Sequence, residues 1–184
     1  MLHDRDLLDR LSAFSPVRFD GEVYRATRRG LNPLAPSNAG GRWMPSDITP
    51  TLYTSCERDG AIAEIAFHWS QLTPVPSKPA MLHQLGVGVG ETLRLGRAAL
   101  VGLGVDWSSY GTINLTQTQA IGAAVAHLEY HGLVAPSARW ACDNVILFPA
   151  NHDEQDTLVL RHTEQVDWRG WMAQRQNAPG ESGS

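Results

Sequence analysis

The sequence predicts an α+β fold. Strand-like and helix-like runs mix without the regular β–α–β alternation of a doubly wound parallel sheet. Apolar residues recur at helical spacing in some stretches and alternate like a strand in others. No internal repeat organises the chain. At 184 residues the simplest reading is one domain, long enough to bury roughly 70% of its unfolded surface.

The elements follow in order. Leu7, Leu8, Leu11 and Phe14 share one helical face, so a short amphipathic helix opens the chain. Glu22–Thr27 reads as a strand. Residues 28–41 carry Gly, Asn, Pro and Ser without periodicity and form a long loop, a kind of segment that is usually functional in a compact domain. Leu52-Tyr53-Thr54 is a short strand. Ser55 is placed to cap the helix that follows, with Glu57 in its first turn and Ala61, Ile62, Ile65, Ala66 and Trp69 as its apolar stripe. Pro74, Pro76 and Pro79 interrupt the chain before a strand at Met81–Val89. Thr116 caps a second helix, expected from Gln117 to His131 and stopped by Gly132. Strands are expected at Asn144–Phe148 and Leu158–Val166, and Asp167 caps a closing helix through Trp168 and Trp171.

Composition narrows the function. Apolar residues are 42% and charged residues 18% of the chain, as in ordinary globular proteins. The net charge is −4 and the longest basic run is Arg28-Arg29, which argues against direct nucleic-acid binding, since that requires a basic face. Fourteen arginines stand against a single lysine, in line with bidentate phosphate recognition, although genomic base composition is the plainer cause. Cys56 and Cys142 are the only cysteines, too few for a disulfide framework. The charged opening, Met1 to Asp6, differs from a signal peptide, and no run approaches the roughly 20 apolar residues of a membrane span. A cytoplasmic location is the expectation.

Several motifs have plain explanations. Gly86, Gly88 and Gly90 lack the GxGxxG spacing of a nucleotide loop and read as strand and turn glycines. His127 and His131, four apart, could share a metal, but Glu129 stands between them and no third ligand is evident; two histidines on a partly exposed helix face is the plainer reading. Asp153, Glu154 and Asp156 match a calcium loop only in composition.

Four blocks stand apart, the third of them followed by Glu64 one helical stretch later. Arg25 lies in Val23-Tyr24-Arg25-Ala26-Thr27, a strand that ought to be half-buried, and a buried guanidinium calls for an anion. Gly40-Gly41 before Arg42-Trp43 lets backbone approach a ligand closely, or forms a plain turn closed by a core Trp. Tyr53 lies in Leu52-Tyr53-Thr54-Ser55. Glu64 is a carboxylate set among Ala61-Ile62-Ala63 and Ile65-Ala66-Phe67, either functional or a surface Glu between buried positions. Ser137 sits in Ala135-Pro136-Ser137-Ala138-Arg139; alone it is a turn serine. Fixed cations, a tyrosine, a lone carboxylate and a serine suit a polyphosphate-bearing ligand.

Together these blocks, with Asn144-Val145-Ile146-Leu147-Phe148-Pro149, resemble the RES-domain family, toxins of bacterial toxin–antitoxin pairs named for an Arg, a Glu and a Ser. The resemblance spans residues 20–165 and matches the name to Arg25, Glu64 and Ser137. Two departures are Met44, where the family often has Asn, and Ala141-Cys142-Asp143 in place of a Gly-rich approach to Asn144. The resemblance implies an ADP-ribosyltransferase-like fold, with two small split β-sheets and flanking helices around an NAD cleft. It divides the chain into an N-terminal helix (1–18), a RES domain (19–176) and a disordered tail (177–184). The implied activity is cleavage of NAD at the nicotinamide glycosidic bond, with water or phosphate as acceptor; transfer to a protein is the alternative, and a non-enzymatic binding module a remoter one. On this reading Arg25, Glu64 and Ser137 are catalytic, while Arg25, Arg42, Tyr53, Ser137 and Asn144 hold NAD as the substrate, without a metal. A helix-turn-helix antitoxin is the implied partner, and it, rather than this chain, touches DNA.

Overall fold

The computed structural model describes residues 4–176. The tail expected at 177–184 lies outside the described residues. Helix α1 (Arg5–Ser12) buries Leu7 and Leu11, as their spacing requires, and the Asp4 carboxylate accepts from the Asp6 amide at its start. The first strand, β1 (Val17–Thr27), begins earlier than its apolar run indicates, because Val17–Glu22 is mostly solvent-exposed and lacks an inward face.

Five more strands follow: β2 (Leu52–Ser55), β3 (Ala80–Arg94), β4 (Gly132–Pro136), β5 (Asp143–Leu147) and β6 (Thr157–Val166). They form one sheet in the order β1–β2–β5–β4–β3–β6, and β1 also pairs with β3, so five strands close into a ring with β6 outside it. Instead of two separate sheets, two strand triplets are joined at two seams. One seam is the single register pair Tyr24↔Ser55; the other is a parallel stretch, Thr92–Arg94 against Gly132–Val134. The length of β3 makes this closure possible: its fifteen residues run antiparallel to β1 and β6 before reaching β4.

Helices α2 (Arg58–Ser70), α3 (Arg97–Gly102), α4 (Thr116–His127) and α5 (Trp168–Gln176) flank the sheet. Val23, Leu52, Leu85, Val134 and Val145, one from each ring strand, share one core cluster. A second cluster packs α1, α3 and α4 against Leu93, Leu133 and Ile146. In the third, Ile62 and Trp69 of α2 meet Leu82 of β3 and Trp168 of α5; a fully buried aliphatic side chain such as Ile62 or Leu82 stabilises the fold by about 1.5–3 kcal/mol. No helix among the described residues is long and apolar enough to cross a membrane.

Three sequence expectations are corrected. Ser55 does not cap α2: it is the last residue of β2, its side chain turns toward β5, and Glu57 occupies the cap position without a side-chain bond. Thr116 is the first helical residue of α4, and Leu115 holds the cap position. That helix ends at His127 because Glu129 turns the chain through a left-handed conformation, φ 64°. His127 and His131 therefore do not share a helix face. His131 lies beyond the turn and pairs with the buried Asp156 at 2.7 Å. Asp167 does cap α5, accepting from the Gly170 amide at 3.0 Å.

Candidate active site

Strand register brings the polar groups together. Asn144 on β5 lies between Ser55 of β2 and Ala135 of β4. Ser55 Oγ donates to Asn144 Oδ1 at 2.8 Å, leaving the amide nitrogen to face α2, where Nδ2 donates to Glu64 Oε1 at 3.0 Å. This amide orientation is dictated by chemistry, since a carboxylate accepts only. Ser137, one residue past β4, donates its hydroxyl proton to the same Oε1 at 2.9 Å. Both anchoring bonds thus fall on one carboxylate oxygen, and among the described residues no hydrogen bond reaches Oε2.

The turn after Ser137 settles what its hydroxyl does. Ser137 Oγ accepts from the Arg139 and Trp140 amides at 3.0 and 3.3 Å. A hydroxyl has one proton and two acceptor sites. All three are in use, the proton on Glu64 and both acceptor sites on the turn amides.

Two guanidinium groups lie in the same electrostatic neighbourhood as the carboxylate, and a short segment, Tyr110–Thr112, holds both. Arg42 Nη2 donates to the Thr112 carbonyl at 3.1 Å and its guanidinium lies 4.9 Å from the Tyr110 ring centre. Arg139 Nη1 donates to the Gly111 carbonyl at 2.6 Å, and its guanidinium covers Phe67, one helical turn along the Glu64 face, at 3.3 Å. The Tyr110 hydroxyl donates to the Pro136 carbonyl at 2.6 Å, tying this segment to the residue before Ser137.

The Gly40-Gly41-Arg42-Trp43 block is fixed by protein contacts alone. A Cβ on Gly41 would come 2.8 Å from Tyr53 Cζ, and one on Gly40, at φ 73°, 2.6 Å from the Ser46 nitrogen. These glycines make room for neighbouring chain. On α4, a Cβ at Gly122 would fall 1.7 Å from the Trp43 carbonyl oxygen, so helix and block meet backbone to backbone. Gln119 adds a bond to the Gly41 carbonyl at 2.9 Å. The Tyr53 hydroxyl accepts from the Trp43 amide at 3.2 Å. Burial pushes the Tyr53 phenol well above its ordinary range; the Trp43 and Met44 amides and Arg42 oppose the shift, and Glu64 adds to it.

Of the residues singled out in sequence, the structure joins Glu64, Ser137 and Asn144 by hydrogen bonds and brings Arg42 and Tyr53 into their electrostatic range. Arg25 is different. Its Nη1 donates to the Pro33 and Ala35 carbonyls at 2.9 and 3.0 Å, lacing the 28–41 loop to β1. Burial lowers its pKa, and main-chain carbonyls satisfy Nη1. Ser55, Tyr110, Arg139 and His68 were missed as site residues. His68 follows Glu64 by one turn, at the rim. Loss of solvation holds its imidazole below the ordinary range, Arg139 and Arg42 add to that, and Glu64 opposes it. The i, i+4 spacing from Glu64 is the one sequence signal that could have flagged it.

A cavity of about 710 Å³, lined by Arg18, Glu91, Glu129 and His131 among others, contains none of these residues. The converging polar groups around Glu64, not that cavity, make the candidate site. Among the described residues no group of three or more His, Cys, Asp and Glu side chains is placed to hold a metal ion.

The sequence model of the RES domain matches residues 16–169. No curated protein matches the chain in sequence. Among solved structures, a chain of the M. tuberculosis MbcT–MbcA toxin–antitoxin complex is similar, with a TM-score of 0.78 and 19% identity over 95% of this chain and 99% of that one. At that identity the likeness is one of fold.

Proposed function

This chain belongs to the RES-domain family, and on that premise we propose that it is the toxin of a toxin–antitoxin pair that cleaves NAD at the nicotinamide glycosidic bond. The observation that carries the proposal is the Glu64 carboxylate: Oε1 is held by Ser137 and Asn144, Oε2 is open, and Arg42 and Arg139 stand nearby. The strand ring with its flanking helices is in keeping with an ADP-ribosyltransferase-like reading of the fold.

Each residue then has a task. When the C–N bond breaks, nicotinamide leaves with the electron pair and the ribose becomes oxocarbenium-like. A fixed carboxylate stabilises that positive charge as it develops and holds a ribose hydroxyl through Oε2. Ser137 and Asn144 aim Glu64, and Ser55 aims Asn144. Arg42 and Arg139 clamp the pyrophosphate through charge-assisted bonds. Arg25 holds the 28–41 loop and keeps Nε and Nη2 for a phosphate oxygen. Tyr53, packed against the Gly41 backbone, walls the ribose from bulk water. Water or inorganic phosphate attacks the anomeric carbon, giving ADP-ribose or its 1-phosphate, and a proton from water passes to solvent. The substrate supplies the leaving group, so no step requires a metal.

The partner on this reading is a small helix-turn-helix antitoxin, which binds DNA on behalf of the pair and restrains the toxin in the cytoplasm. The similarity to a chain of a toxin–antitoxin complex supports a partner of that kind. Incubating the purified chain with NAD, with and without inorganic phosphate, tests the proposal. Nicotinamide and ADP-ribose, or its 1-phosphate when phosphate is added, are expected. Label transferred to protein instead would move the reading to a protein ADP-ribosyltransferase, and no nicotinamide at all would overturn it.

A further inference from the structure

The turn that carries Ser137 lies along a single stripe of α2. Trp140 Nε1 donates to Glu57 Oε2 at 3.0 Å at the start of that helix. One turn on, Gly60 leaves room for Cys142, whose Sγ would stand 2.7 Å from a Cβ there. Another turn on, Glu64 receives the Ser137 bond. Spacings of three and four residues put all three contacts on one face. Glu64 is thus seated through a strip of contacts that begins at Trp140.

Helix α5 closes over that end of the strip. The Arg175 guanidinium lies 4.1 Å from the Trp140 ring centre and 4.6 Å from that of Trp171, and the two indoles are 5.7 Å apart. Asp59, on the first turn of α2, pairs with Arg175 and accepts from Trp171 Nε1 at 3.1 Å. One arginine therefore joins the closing helix, the start of the Glu64 helix and the Ser137 turn. Glu57, Asp59 and Trp140 are otherwise unexplained by the proposed chemistry, and none of them touches Glu64.

We propose that α5 is a latch that sets the geometry of the Glu64–Ser137 pair, with Trp140 and Arg175 as positioning residues. The Trp140 amide is itself one of the two donors that fix Ser137 Oγ, so the indole clamped by Arg175 sits on the residue that shapes the hydroxyl. Releasing the clamp lets the turn drift, and Ser137 no longer holds Oε1 in place. Substrate binding through Arg42 stays, because Thr112 holds that group from outside the turn, and the bond to the Gly111 carbonyl keeps the Arg139 guanidinium in place while its backbone loosens. The cost falls on turnover, since small displacements of a catalytic group lower rates steeply.

The turnover readout rests on the NAD-cleaving reading, so a second readout is independent of it: exchange of the Arg139 and Trp140 amide hydrogens, the two that bond to Ser137 Oγ. In Arg175→Ala, exchange at both amides speeds up about tenfold or more, and kcat for nicotinamide release falls about tenfold with KM within about twofold. Arg175→Lys, which restores the cation over the indoles, recovers most of both. If the unaltered protein releases no nicotinamide, the NAD reading fails and amide exchange alone decides the latch. Unchanged exchange in Arg175→Ala overturns the latch, as does faster exchange with undiminished kcat in an active enzyme.

Discussion

Ser137→Ala separates an orienting serine from a reacting one. The substitution removes one hydrogen bond to a carboxylate and the shared acceptor of two amides. A hydrogen bond to a charged group contributes about 1.5–3 kcal/mol, and a neutral one about 1 kcal/mol. The Arg139 and Trp140 amides sit in a half-buried turn where water can replace part of what they lose, so the fold is destabilised by about 1–3 kcal/mol. Asn144 still holds Glu64 Oε1, so the carboxylate keeps one of its two anchors. Losing about 1.4 kcal/mol of transition-state stabilisation lowers kcat roughly tenfold. Urea unfolding followed by tryptophan fluorescence measures the first effect, and steady-state nicotinamide release the second. Activity within twofold of the unaltered protein would refute the orienting role. A loss as deep as that from removing the Glu64 charge would refute it in the other direction, by making Ser137 a reacting group.

Two further outcomes follow from the geometry. Gly122→Ala drives a methyl group into the Trp43 carbonyl and forces α4 away from the block that carries Arg42; a loss of about 3 kcal/mol or more by urea titration is expected, whereas Ala120→Gly on the same helix, a change of helix propensity, costs about 1 kcal/mol. For Asp156, burial raises the pKa, but the Gly90 and Asp153 amides and the charges of His131 and His152 outweigh it, so the net shift is downward. A carboxyl held lower in the folded state stabilises it above the unfolded value of about 3.9, and that contribution disappears as pH falls through the lowered folded value. Asp156→Asn should therefore flatten the acid limb of a stability–pH curve below about pH 4, and an unchanged limb would assign acid unfolding to other groups.

Much of the frame was legible in sequence for simple reasons. The α2 stripe of Ala61, Ile62, Ile65, Ala66 and Trp69 is buried as its period demands, and Glu64 stood out as the carboxylate set among it. What stayed hidden depends on partners distant in sequence. Ser55 reads as a helix cap because a cap is a local feature, while its bond to Asn144 depends on a β2–β5 register spanning 89 positions. Strand β4 was masked because Gly132 looks like a helix stop, and the real stop is Glu129, a residue that seldom adopts a left-handed conformation. The Arg25 bonds to the Pro33 and Ala35 carbonyls were hidden because the 28–41 loop has no periodicity from which its path could be read. Arg139 was quoted only as the end of a serine motif, and nothing local shows that Phe67 and the Gly111 carbonyl, from two other elements, would fix it beside Glu64.

Glu64→Gln tests the central claim most directly. It keeps the side-chain shape and an oxygen for Ser137 and Asn144 to hold, and removes only the charge. If Glu64 stabilises the ribosyl cation, nicotinamide release from NAD falls on the order of 100-fold or more while thermal unfolding stays close to that of the unaltered protein. Release within threefold of the unaltered rate from equally stable protein would contradict that role and remove the basis for placing the chemistry at this carboxylate.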